Sequence, residues 1–161
     1  MVKGLISIIR FRLIGFIFTS GLLLQVAVCF ALDNPDAGDY ISVFQERSEE
    51  FERIIYKLAK NQEDIISTYI RYSEFLDQEL NRSYIALNNL LDENSRHALQ
   101  KSQRLWIQFR DAEYDFIDKN WIPANFGSSS SVSRSAYRNS ILKNRVLELL
   151  YYLQNYKKNN Q

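Results

Sequence analysis

From Leu99 to Lys119 the chain reads LQKSQRLWIQFRDAEYDFIDK, with no proline or glycine and with apolar residues at helical spacing on more than one face. At about 100° per residue, Lys101, Arg104, Gln108, Asp111, Asp115 and Asp118 share one side. The remaining arc has two edges. Leu105, Phe109, Ala112 and Phe116 form one; Leu99, Gln103, Trp106, Arg110, Tyr114 and Ile117 form the other. So wide an arc predicts a helix set in a groove between at least two others, with Trp106 and Phe109 in the core. Gln103 and Arg110 then lie on the buried side and need polar partners. Glu113, three residues beyond Arg110, and Glu148 near the C-terminus are the acids within reach. A buried arginine left alone is costly, so this set reads as a structural network.

The pattern repeats on three further segments. Ile41, Phe44, Ser48, Phe51, Ile55 and Leu58 make one seam from Tyr40 onward. Ile66, Tyr69, Ser73, Leu76, Leu80, Tyr84, Leu87 and Leu91 make a second, over a helix from about Glu63 to Leu91. Its two successive steps of four break the heptad and favour a globular bundle over a long coiled coil. Asn61-Gln62 marks a joint before it, and Asp92-Glu93-Asn94-Ser95 supplies a break and a choice of N-caps after it. Tyr137, Ile141, Leu142, Arg145, Leu149 and Tyr152 line a last helix over about Arg134 to Tyr156. Between Lys119 and that helix the periodicity fails. NWIPANFGSSSSVS, residues 120–133, reads as a loop whose first half is held down by Trp121 and Phe126. No repeat and no strand pattern appears. The predicted fold is all-α, a compact bundle of about four helices with a central Trp-containing helix and one longer loop before the last.

The first 31 residues are different. Lys3, Arg10 and Arg12 precede an apolar stretch from Leu13 to Val28, and Cys29-Phe30-Ala31 offers a cleavage site. This predicts an export signal removed near Ala31, and a periplasmic or secreted product that meets membrane only through that segment. An uncleaved anchor is the competing reading, because the run approaches the roughly 20 residues that span a bilayer. Bulky Val28 argues against lipidation of Cys29. Leu32 to Asp39 is a flexible lead-in, residues 40–156 form a single helical domain, and Lys157 to Gln161 form a polar tail.

Without its first 31 residues the chain carries 17 Lys+Arg and 19 Asp+Glu. No basic field exists for nucleic acid. Six cations and one acid fall in residues 120–161, an asymmetry that suits packing of the last helix on the others. The 130-residue remainder has no cysteine, which is uncommon for a small exported domain, yet that length can bury a core unaided. His97 is the lone histidine and reads as a surface or capping residue. With no phosphate loop, metal-ligand spacing or nucleophile motif, the sequence names no catalytic residue, metal or cofactor. Asp111, Asp115 and Asp118 form an acidic stripe at i, i+4 and i+7. Its ordinary reading is a solvated face, its functional one a docking surface for a cationic partner. Trp121, Phe126, Gly127 and Ser128 make the loop the other candidate contact.

The segment from Leu80 to Leu149 resembles the LprI-like family of small exported bacterial proteins, commonly labelled lysozyme inhibitors. Leu80, Asn81 and Tyr84 match the start of the family pattern. Gln103, Trp106, Ile107, Arg110, Asp111 and Glu113 match its central motif in register. Gly127 and Ser128 fit its loop, and Arg145, Glu148 and Leu149 its end. Tyr114 and Tyr137 stand where the pattern has cysteines, and the cysteines usual before Leu-Asn are missing as well. The resemblance therefore implies a cysteine-free variant in which the two tyrosines are neighbours with rings in contact. It also implies a non-enzymatic protein that blocks a peptidoglycan-cleaving hydrolase such as a cationic lysozyme. On that reading the 120–133 loop is presented to the enzyme and the acidic stripe steers it. An envelope interaction or assembly protein and an immunity protein against a wall-degrading toxin are the alternatives, and the oligomeric state stays open.

Overall fold

Short acceptor side chains set the helix starts. In the computed structural model, which describes residues 39–156, Asp39 accepts from the Ser42 amide (3.0 Å), Asn61 from that of Asp64 (2.9 Å) and Asp92 from that of Ser95 (3.0 Å). They open α1 (Tyr40–Arg53), α2 (Gln62–Leu90) and α3 (Glu93–Asn120). α1 runs into a π turn, Ile54–Leu58, closed by the Ala59 amide on the Ile54 carbonyl at 2.8 Å. Then come a single-turn α4 (Pro123–Phe126), a 3₁₀ turn (Gly127–Ser129) and α5 (Ser130–Asn155). The expectations for an export signal, for the lead-in up to Gly38 and for the tail from Lys157 lie outside the described residues. Among the described residues no helix is long and apolar enough to cross a membrane.

The all-α bundle stands as the periodicity predicts. Its heart is the pair α2 and α5. Leu76, Val146 and Leu149 have no measurable exposure, and Tyr69, Leu80, Leu87, Leu142, Leu150 and Leu153 are buried with them. Gln62 meets Ser131, and the Asn139 side-chain amide donates to the Tyr69 carbonyl at 3.2 Å, so the two helices run parallel. α1 runs the other way along the pair. Its Phe51 stacks on Tyr72 (5.0 Å) and Phe75 (5.2 Å), and Phe44 and Ser48 are buried. Buried Glu79 is answered by Arg47 (2.7 Å) and Arg82 (2.9 Å), and Glu52 by Lys143.

Two expectations need correction. The loop before the last helix is shorter than predicted, because α5 starts at Ser130 rather than near Arg134. The serines are part of the packing rather than of the loop. Ser130 is buried, Ser131 accepts from Gln62 (2.9 Å), and Ser135 returns its hydroxyl to the Ser131 carbonyl (3.1 Å), so small side chains let α5 close on α2. The helix carrying Trp106 lies on the flank rather than in a groove. Of its two apolar edges only one faces the bundle, with Leu99 and Ile117 buried and Trp106 half-buried against the core. The other edge faces water: Leu105, Phe109 and Phe116 are 54%, 53% and 53% exposed. Phe109 is not a core residue.

The burial pattern makes a direct prediction. Leu149→Ala should lower unfolding free energy by about 2–5 kcal/mol, as truncations in close-packed cores do. Phe109→Ala should change it by no more than about 0.5 kcal/mol, as substitutions on open surface do. Denaturant titration of both variants checks the contrast.

Candidate functional site

α3 is held to the bundle chiefly by charge and rings. Arg145 of α5 is 5% exposed. Its Nε and one terminal nitrogen both donate to Gln103 Oε1, at 3.1 and 3.0 Å, and its other terminal nitrogen meets Glu148 at 2.6 Å. The guanidinium also faces the Trp106 ring at 5.7 Å. Arg110 sits against Trp106 from the next turn (5.6 Å) and against Tyr114 (5.8 Å), and Arg138 faces Tyr114 at 5.0 Å. Cations and rings thus alternate up the α3–α5 interface, each contact adding on the order of 0.5–1 kcal/mol where partly exposed.

The predicted polar set is present with different pairings. Arg110 bonds Asp111 (2.9 and 2.7 Å) rather than Glu113, because its side chain lies outward along the rings. The fully buried arginine is Arg145, and it is the one that meets Glu148. Tyr114 and Tyr137 do not stack on each other. The Tyr114 hydroxyl donates to the Arg138 carbonyl (3.3 Å), and the Tyr137 ring turns to Trp121 at 4.5 Å. Their helices still meet at this level.

Beyond α3 the chain folds into a small knob. Trp121 stands at its centre, edge-on to Phe116 (5.8 Å), stacked on Phe126 (5.6 Å) and tilted against Tyr137. Arg134 donates to the Trp121 carbonyl (2.6 Å), and Gln62 to the Ser128 carbonyl (2.7 Å). Gly127 takes φ +63°, a conformation glycine adopts without strain, and a Cβ there would meet nothing within 4 Å. The tip is therefore pinned at its base and open at its crest. Phe126 (47% exposed), Gly127 and Ser128 all face water.

The acidic stripe lies beside the knob, but its charges are paired. Asp111 meets Arg110, Asp115 meets Lys119 at 2.6 Å, and Asp118 meets Arg138. Three acids beside three cations give little net field. The sequence pattern identified the aspartates but could not reveal their partners, since Arg138 comes from another helix. Reading by sequence also missed Phe116, Gln62 and Arg134, which join the knob only through tertiary contacts. His97 is exposed, one turn into α3.

The sequence pattern of the lysozyme inhibitor LprI family matches residues 57–149, a span that takes in α2, α3, the knob and most of α5. The chain belongs to the LprI family. Among curated proteins and among solved structures nothing matches it. The residues whose order and spacing resemble the LprI pattern have a physical reading in the fold. Gln103, Trp106, Arg145 and Glu148 form the clamp, Arg110 and Tyr114 continue it, and Leu80 and Tyr84 pack in and against the core.

Gln103→Leu should leave a buried guanidinium short of an acceptor and cost about 1–3 kcal/mol, whereas Gln103→Glu should retain most of the stability. Thermal or denaturant unfolding of the pair checks this. A second prediction follows from the buried phenols. Burial pushes the Tyr114 hydroxyl up to about 12, with Arg110 opposing the shift, and burial drives Tyr69 and Tyr72 upward too. A pKa raised by folding stabilises the native state below the unfolded value, near 10, and that contribution disappears as pH rises toward the folded value. Stability should therefore fall between about pH 10 and 12, and Tyr114→Phe should flatten part of that fall, as read by denaturant midpoints across pH.

Proposed function

We propose that the protein is an exported, non-enzymatic binding protein that blocks a lysozyme-type peptidoglycan hydrolase by seating the Trp121–Ser129 knob in the enzyme's cleft. The observation that carries this reading is the knob itself: an exposed aromatic and polar crest on a base already fixed by Trp121, Arg134 and Gln62. LprI family membership supplies the class of target. A glycosidase of this kind works with two carboxylates flanking the scissile bond, so an inhibitor must fill the space between them. Phe126 is the apolar anchor, and Ser128 and Asn125 put hydroxyl and amide donors beside it. Because the turn is held before binding, little ordering entropy opposes association.

The three aspartates contribute less than the sequence pattern suggests. Each is matched by a neighbouring cation, so long-range steering of a cationic enzyme is weak and contact at the crest sets the affinity. The first 31 residues fit the same picture as an export signal that delivers the domain to the periplasm or beyond.

Purified protein should slow lysis of bacterial walls by a lysozyme, and the effect should persist with modest loss on raising salt, since little unpaired charge remains to be screened. Phe126→Asp should weaken inhibition at least tenfold, the loss expected when an interface anchor worth more than about 1.4 kcal/mol is removed, while the unfolding midpoint stays unchanged. Absence of inhibition by the folded parent, or full inhibition by Phe126→Asp, overturns the reading.

A further inference from the structure

A second surface, on the outer face of α3, is built to meet itself. Leu105, Phe109 and Phe116 are each more than half exposed and fall on one stripe with exposed Ala112, while Ser102, one step before Leu105, accepts from Arg145 at 3.4 Å and marks where the stripe begins. Ser102, Phe109 and Phe116 are seven apart, and Leu105 and Ala112 lie between them at the alternating three- and four-residue steps of a coiled-coil seam. Apart from Ser102, which meets Arg145, and the edge of Phe116 against Trp121, the bundle does not cover this seam.

The charges along the flank of the stripe are segregated. Lys101 and Arg104 precede its middle, Gln108 lies at the middle, and Asp111 and Asp115 follow; all five are exposed. Two identical helices packed antiparallel about a two-fold axis bring the same flank of each together in reverse order. With the axis near Phe109, Lys101 and Arg104 of one chain meet Asp115 and Asp111 of the other, twice over. Gln108 meets Gln108, Phe109 meets Phe109, and Leu105 meets Ala112. A parallel pairing would instead set like charges opposite one another. Asp115 keeps Lys119 beside it (2.6 Å) and gains a second cation from the partner.

We propose that the outer face of α3 is a homodimer interface, closed by antiparallel, two-fold packing of the Leu105–Phe116 stripe. A pair of single helix faces is at the small end of protein interfaces, under about 1,200 Å² in total, so the dimer is reversible and depends on concentration. The crest of the knob, Phe126 to Ser128, stays free in it, while Phe116 at the end of the stripe backs Trp121 from the interface side. Trp121 lies twelve residues beyond Phe109, about 18 Å along the helix, so the two knobs project from opposite ends of the interface.

The test is molar mass against concentration by sedimentation equilibrium, on protein expressed from the full chain and purified as the cell leaves it. The parent should pass from one chain mass to two. Phe109→Glu should remain at one chain mass with unchanged helicity, since that side chain does not support the fold. Two charge variants give the decisive arm. Lys101→Glu with Arg104→Glu, and Asp111→Lys with Asp115→Lys, should each be monomeric alone and should form a 1:1 dimer when mixed. A parent that is monomeric up to its solubility limit overturns the proposal. So does a dimer that survives Phe109→Glu, or a pair of charge variants that stays monomeric on mixing.

Discussion

Arg145 has almost no contact with solvent, so its charge must be answered where it stands. That requirement fixes the position of α3. Gln103 supplies one oxygen to two of the guanidinium donors, Glu148 supplies a carboxylate from the next turn of α5, and Trp106 presents its face. α3 contributes only Leu99 and Ile117 as fully buried residues, too little apolar surface to define its register. A guanidinium has a fixed fork of donors and accepts few alternative geometries. Sliding α3 by one turn would move Gln103 and Trp106 away and leave two of the guanidinium donors without their acceptor. What the α2–α5 core provides in bulk, the clamp provides in specificity.

This explains which features were legible in the sequence. Helix existence followed from periodicity. The α2 seam transferred almost unchanged into the core, whereas the α5 seam turned by a residue. Leu142, Arg145 and Leu149 are buried as expected, but Tyr137 and Tyr152 are exposed and Val146, Leu150 and Leu153 complete the buried face. α3 misled because its apolar arc is two stripes, and periodicity cannot say which of two adjacent stripes meets the protein. Phe109 and Trp106 look equivalent along the chain, but only Trp106 lies on the side where Arg145 waits. The serines before α5 misled for a related reason. Their composition suggests a spacer, while their small volume is what lets two helices approach.

The candidate site was legible in part. Trp121, Phe126, Gly127 and Ser128 were identifiable because aromatics have no place in a free linker, and they do form one knob. What holds the knob was not visible. Gln62 comes from the start of α2 and Arg134 from α5, and no local pattern links either to the turn. The aspartates show the converse. A stripe at i, i+4 and i+7 reads as an acidic surface until Arg110, Lys119 and Arg138 are placed beside it. Charge read along a chain gives the acids, and only the fold gives the field.

Tyr114 and Tyr137, which the resemblance sets at cysteine positions of the family pattern, show how a joint between α3 and α5 can be held without a covalent bond. A disulfide spanning these positions would close a loop of about 23 residues, worth roughly 3 kcal/mol in the chain-entropy account. In its place Tyr114 lies between Arg110 and Arg138 and donates to the Arg138 carbonyl, while Tyr137 packs on Trp121. Two cation–ring contacts of about 0.5–1 kcal/mol each, with burial of one phenol ring at about 1.5–3 kcal/mol, reach the same magnitude. The character of the joint differs. A crosslink acts mainly on the unfolded chain and needs an oxidant to form, whereas these contacts arise with the fold and need none. They also distribute the function of one bond along the α3–α5 seam, so Tyr137 is free to support the knob. The joint is thus coupled to the candidate binding turn through Trp121, in a way that a disulfide at the same place would not be.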